Sequence, residues 1–111
     1  MTTFKKTNSE QMTGTSLQDY TTANYHALKR VLGSPSFEGS GDGKISTEWI
    51  LEDEDGNVAT LYDYKETDLY SQSLPSVEEF RDRPQHEWHV GAHDKATAAR
   101  FIIWLVSELL K

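Results

Sequence analysis

The sequence predicts an α+β fold, a small three-stranded antiparallel sheet with an N-terminal and a C-terminal helix packed on one face. Three observations carry this. Two β-type runs flank Asp55-Gly56, a dipeptide that accepts the positive φ of a hairpin turn. Tyr25, Leu28, Val31 and Leu32 fall at helical spacing near the start, and Ala98, Phe101, Ile102, Leu105 and Leu109 do so at the end. The chain of 111 residues has room for one core of this size.

Residues 1–15 are rich in Thr, Ser, Asn and Lys without periodicity, which predicts a flexible tail ahead of a single domain over 16–111. A first helix is expected from about Thr22 to Leu32. Thr21 or Thr22 would cap it, and Gly33 with Pro35 would end it. Residues 36–43 then read as a glycine-rich connection. The strand runs are Lys44–Glu52 and Val58–Tyr64. A two-residue turn pairs Trp49 with Tyr62, whereas a three-residue turn with a bulge pairs it with Leu61. Because side chains alternate, the two registers put Trp49 on opposite faces, and the sequence leaves both open.

Ser76-Val77-Glu78-Glu79 is a capping box for a short helix anchored by Phe80 and ended by Pro84. Glu87–Val90 reads as the third strand. Asp94 can cap a last helix reaching about Leu110. Ile103, Trp104, Val106 and Leu110 lie outside its core stripe, so the helix is apolar nearly all round and is either buried on two sides or exposes a patch that needs a partner, for which a homodimer through this helix is one candidate.

Twelve aromatic residues argue for a folded chain despite a mean hydropathy of −0.66. There is no cysteine, which removes disulfides and thiolate chemistry. The longest apolar run, Phe101–Val106, is far short of the ~20 residues of a membrane span, so no membrane partner is expected. Net charge is −7, and between Glu38 and Glu87 fourteen acidic residues face four basic ones. That balance disfavours direct nucleic-acid binding, which works through Lys and Arg on phosphates, and favours a partner with a basic surface.

Several motifs suggest chemistry and then lose it. Gly39–Lys44 (GSGDGK) has neither the spacing of a phosphate loop nor a helix after it, and reads as a turn. Asp53–Asn57 (DEDGN) would put Leu51 where a calcium loop needs its first carboxylate. His86, His89 and His93 cannot share a helix across Val90-Gly91, and in a strand the first two face opposite ways, so no metal site is expected. No nucleophile motif is present, and no carboxylate sits in a context expected to raise its pKa by burial, so no enzyme and no cofactor is expected. The stretch WHVGAHDK, Trp88–Lys95, stays open between an anion pocket at a helix start and a capped strand-to-helix junction.

The ordered set Tyr25-x-x-Leu28, Gly33-x-Pro35, Asp42-Gly43-Lys44, Glu48-Trp49, Gly56 through Lys65 (GNVATLYDYK) and Trp88-His89-Val90-Gly91 resembles a group of small phage-encoded proteins. Their pattern runs from a Tyr/Leu helix and G-x-P through K-x-x-x-E-W and V-A-T-I-Y-D-Y-K to W-H-I-G-G. The resemblance covers about residues 22–105 and implies a viral origin, with the host cytoplasm as its place of action, rather than a mechanism. Ala92 departs from the second glycine of that pattern, and the Glu66–Glu87 segment is longer than usual.

Two functions are therefore expected to compete. The first is a phage accessory protein that binds and inhibits a host protein, such as an antiviral defence effector, through an acidic surface of Glu48, Glu52, Asp53, Asp55, Asp63, Glu66, Asp68, Glu78 and Glu79. The second is a binder that sequesters a nucleotide second messenger, using Lys44, Lys65, His89, His93 and Lys95 for phosphate and Trp49, Tyr62 or Trp88 for stacking, with Gly91 providing a tight turn beside them.

Overall fold

A computed structural model describes residues 2–8, 11, 13–36, 39 and 42–111. Among them five strands and three helices follow the order β1 (Phe4–Lys6), β2 (Ser16–Ala23), α1 (Tyr25–Leu32), β3 (Glu48–Asp53), β4 (Val58–Tyr62), α2 (Val77–Arg81), β5 (His86–Ala92) and α3 (Lys95–Leu109). The class is α+β as expected, but the sheet has five antiparallel strands in the order β1-β3-β4-β5-β2 rather than three. Both additional strands are edges. β1 lies inside the stretch expected to be a tail, where Phe4 packs edge-on against Phe101 at 5.2 Å. β2 takes Thr21 and Thr22, expected at a helix start. Asn24 caps α1 instead, its side chain accepting from Ala27 N at 3.0 Å.

The hairpin adopts the three-residue alternative. Asp53 N donates to Asn57 O at 2.9 Å, Gly56 takes φ +83°, and Trp49 pairs with Leu61. Asp53 fastens this turn by accepting from Asp55 N, Asn57 N and Asn57 Nδ2. Burial would raise its pKa, but the hydrogen bonds from Asn57 and Asp55 outweigh it and hold the carboxyl below its ordinary value.

This register decides what each face carries. Trp49, Leu51, Ala59, Leu61, Trp88, Val90 and Ala92 all point toward α1 and α3 and form the core with Leu28, Phe101 and Leu105. The two indoles lie at right-angle-like contact, 5.7 Å apart at 66°, and each satisfies its N–H on backbone: Trp49 Nε1 donates to Gly33 O and Trp88 Nε1 to Ala23 O. The capping box of α2 forms as expected, and Asp94 caps α3 by accepting from Thr97 N at 2.7 Å. α3 keeps Ile103 and Val106 exposed, and its C-cap Leu110 is exposed beside them. No helix among the described residues is long and apolar enough to cross a membrane.

Candidate functional site

The opposite face of the sheet carries Glu48 from β3, Thr60 and Tyr62 from β4, His89 and Gly91 from β5, and Leu17 and Tyr20 from β2. A side wall comes from the chain leaving β4. Asp63, buried, accepts from Ser46 N (2.9 Å), Ser46 Oγ (2.6 Å) and Thr47 N (2.8 Å), and Lys65 N donates to Lys44 O. These bonds fasten residues 44–47, expected as strand, in an irregular path that sets Ile45 at the cleft edge. Lys65 itself takes φ +59°, which turns the chain sharply just after Tyr64.

The result is two adjoining clefts that share Tyr62 and Tyr64. One of about 280 Å³ is lined by Thr15, Ser16, Ile45, Glu48, Thr60, Tyr62, Tyr64 and Gly91; the other, about 400 Å³, by Leu17, Tyr20, Tyr62, Tyr64 and His89. His89 is the hub of an aromatic cluster. Its ring lies 4.9 Å from Tyr20, 5.4 Å from Tyr62 and 5.6 Å from Tyr64, at angles of 62°, 52° and 67°. Such tilted rings build walls rather than a flat stacking platform. Gly91 is required beneath them, because a Cβ there would come within 2.5 Å of Thr60 Oγ1 and 3.5 Å of Tyr62 Cε1.

Glu48 is the electrostatic centre. It is only 4% exposed, and its Oε1 is buried without a hydrogen-bond partner among the described residues. Burial first, and the nearby Asp63 second, push its pKa from the ordinary 4.5 up to about 7. This overturns the expectation that no carboxylate here has a pKa raised by burial. Tyr62 is raised as well, by burial and then by Glu48, Tyr20 and Tyr64.

Of the residues named from sequence, the cleft gathers Glu48, Tyr62, His89 and Gly91, with Lys65 at its rim, Nζ 5.2 Å from the Tyr64 ring and 5.1 Å from that of Tyr70. Trp49 and Trp88 are fully buried on the other face, where no ligand stacks on them. Lys44 sits 3.7 Å from the Asp42 carboxylate. His93 Nε2 donates to Thr13 O at 2.8 Å, and Lys95 is an exposed residue of the first turn of α3. At WHVGAHDK the structure shows the capped junction, Trp88–Ala92 being strand and the Thr97 amide taken by Asp94. That bond with Thr97, ahead of the weaker pull of Arg100 and His93, holds the Asp94 carboxyl below its ordinary value.

The acidic set divides. Glu48, Asp53 and Asp63 are buried, Glu52 and Glu66 half-buried, and Asp55, Asp68, Glu78 and Glu79 exposed. Asp55 is at the hairpin turn, while α2 with Glu78 and Glu79 packs by Phe80 onto His86 at the other end of the sheet. The nine carboxylates therefore do not form one continuous belt. His86, His89 and His93 are likewise apart, and among the described residues no three His, Asp or Glu side chains converge as metal ligands.

Tyr20 and Tyr64 were not among the residues named from sequence. Tyr20 belongs to the strand that the sequence does not reveal. Tyr64 stands two residues past Tyr62 in VATLYDYK, a signal that becomes readable once the register is fixed. Compared with known protein families and with curated proteins, the chain matches none.

Proposed function

We propose that this chain is a non-catalytic binding protein, a phage accessory inhibitor in the sense of the resemblance above, and that it engages a basic host protein through the open face of its sheet. One observation carries the reading. Three tyrosines gather around His89 on a face that no helix covers, with Tyr20 46% exposed at its edge, and the adjoining cleft that shares Tyr62 and Tyr64 is lined by the buried carboxyl of Glu48. An aromatic surface with a concave floor is the usual make-up of a recognition patch. A nucleotide is the weaker candidate. Lys65 is the only lysine of the proposed phosphate set at the cleft, and Glu48 repels phosphate from its floor.

The experiment is recovery of a named host partner by the wild-type protein and by a Tyr20→Ala/Tyr64→Ala double variant. The expected result is loss of the partner with the fold intact by circular dichroism; undiminished recovery contradicts the reading. The acidic corner supports a contributory contact. Asp68 N donates to Pro75 O at 2.8 Å, drawing Asp68 to the foot of the helix that carries Glu78 and Glu79. Pairing of two copies through Ile103, Val106 and Leu110 belongs to the same reading, and a concentration-dependent sedimentation coefficient checks it.

A further inference from the structure

We propose that the cleft receives one arginine side chain of the partner protein, its guanidinium turned onto the Glu48 carboxyl between the tyrosine rings. The proposal rests on the reading of the open face just given. It starts from an imbalance. Glu48 Oε1 is removed from water and bonded to nothing among the described residues, although a buried carboxylate oxygen ordinarily has a donor. Among the described residues no donor reaches it, and Glu48 lines a cleft open to solvent through which a partner's donor can approach. The terminal torsion of a glutamate is broad, so the carboxyl turns toward an incoming group at little cost.

The rest of the cleft narrows the class of donor. Aromatic faces attract cations through the ring quadrupole, and a net charge of −7 favours a cation at longer range. The chain already sets cations against tyrosine rings near Glu48. The Arg81 guanidinium lies 4.6 Å from the Tyr25 ring centroid while its Nη2 donates to Thr47 Oγ1 at 2.9 Å, one residue from Glu48. At the rim, Lys65 Nζ rests against Tyr64. Arginine fits better than lysine because its planar, weakly hydrated fork stacks against a ring and meets a carboxylate at the same time. The absence of a side chain at Gly91 lets Thr60 and Tyr62 pack close against its backbone, where a Cβ would meet Thr60 Oγ1.

The test uses the full chain, labelled with nitrogen-15, and three pentapeptides that differ only at the centre: Gly-Gly-Arg-Gly-Gly, its lysine counterpart and its citrulline counterpart, all with blocked ends. Citrulline keeps the shape of arginine and removes the charge. The arginine peptide is expected to shift the resonances of Glu48, Tyr62 and His89, and to bind about tenfold more tightly than the citrulline peptide, the worth of one hydrogen bond to a charged group. Glu48→Gln should erase that difference. Equal affinity for arginine and citrulline, or an unchanged preference in Glu48→Gln, overturns the arginine inference and leaves the open-face reading standing. Peptides that leave the cleft resonances unmoved at millimolar concentration, together with full partner recovery by the tyrosine double variant, overturn both.

Discussion

The two faces of one sheet are built to opposite rules. Toward α1 and α3, alternate residues of β3, β4 and β5 are Trp, Leu, Ala and Val, packed dry, and the two indole N–H groups are both satisfied on backbone. On the other face the same strands present Glu48, Ile50, Val58, Thr60, Tyr62, His89 and Gly91, and there Glu48 Oε1 is left without a partner among the described residues beside a cleft open to solvent, whereas the unpartnered ring nitrogens of His86 on the covered side are shut in against Phe80. The covered face gives stability, and the open one holds an uncompensated carboxyl at a cost to stability. The proposed binding of a partner's donor would offset that cost, since an unsatisfied group is worth most to an incoming donor.

The contrast can be broken most forcefully from the covered side. Trp88→Ala should cost about 3–5 kcal/mol of unfolding free energy in urea, from the lost burial and the cavity left behind. Glu48→Gln should act in the other direction. In the unfolded chain Glu48 titrates near its ordinary 4.5 and in the fold near 7, so between these values only the folded form keeps the proton. Its contribution is full below about 4.5, falls as pH rises, and levels off above about 7. The glutamine variant should therefore be more stable than wild type by about 3 kcal/mol at pH 8, with the difference vanishing toward pH 4. A flat difference across that range breaks the account of the open face.

Gly91→Ala comes next. Its Cβ would press on Thr60 Oγ1, a buried group with little room to move, and overpacking of this kind costs about 1–3 kcal/mol. The variant should also lose the shift of Tyr62 resonances on peptide binding. Smallest of all, Tyr20→Ala should change stability by about 0.5 kcal/mol or less while weakening binding, because Tyr20 is an exposed residue on an edge strand. A larger loss of stability from Tyr20 than from Trp88 would reverse the assignment of faces.

His86 sharpens the comparison through its sign. It points to the covered side, stacked on Phe80 at 4.1 Å and 14°, with neither ring nitrogen bonded among the described residues. Burial, then Arg83 and His26, lower its pKa from 6.5. Its contribution is full above about 6.5 and is lost as pH falls, opposite to that of Glu48. His86→Phe should accordingly flatten the acid side of the stability profile and leave the alkaline side as it is.

Much of the covered face was legible because packing writes itself into periodicity. The last helix, the Ser76 capping box, the Asp94 cap and the Asp55-Gly56 turn each announce a local rule that the structure obeys. The edges were not legible. β2, with the sequence SLQDYTTA, buries only Ala23, and a bulge between Leu17 and Asp19 breaks its alternation, so neither composition nor period marks it as a strand. β1 is three residues long and is held by Phe4 reaching Phe101 and Trp104, contacts distant in sequence. The site straddles that division. Tyr62, His89 and Gly91 were readable from their blocks, whereas Glu48 was placed among surface acids because a carboxylate in an acidic stretch carries no local sign of burial. Only the three-residue turn, which sets Glu48 opposite Tyr62, reveals its position.

The most direct measurement is the titration of the Glu48 carboxyl followed by its carbon-13 resonance in the full-length protein. A midpoint near 7 is expected, together with a Tyr62 hydroxyl raised above its ordinary value. A midpoint near 4.5 would mean a solvated, satisfied carboxylate, and the open face would have no waiting acceptor to offer a partner.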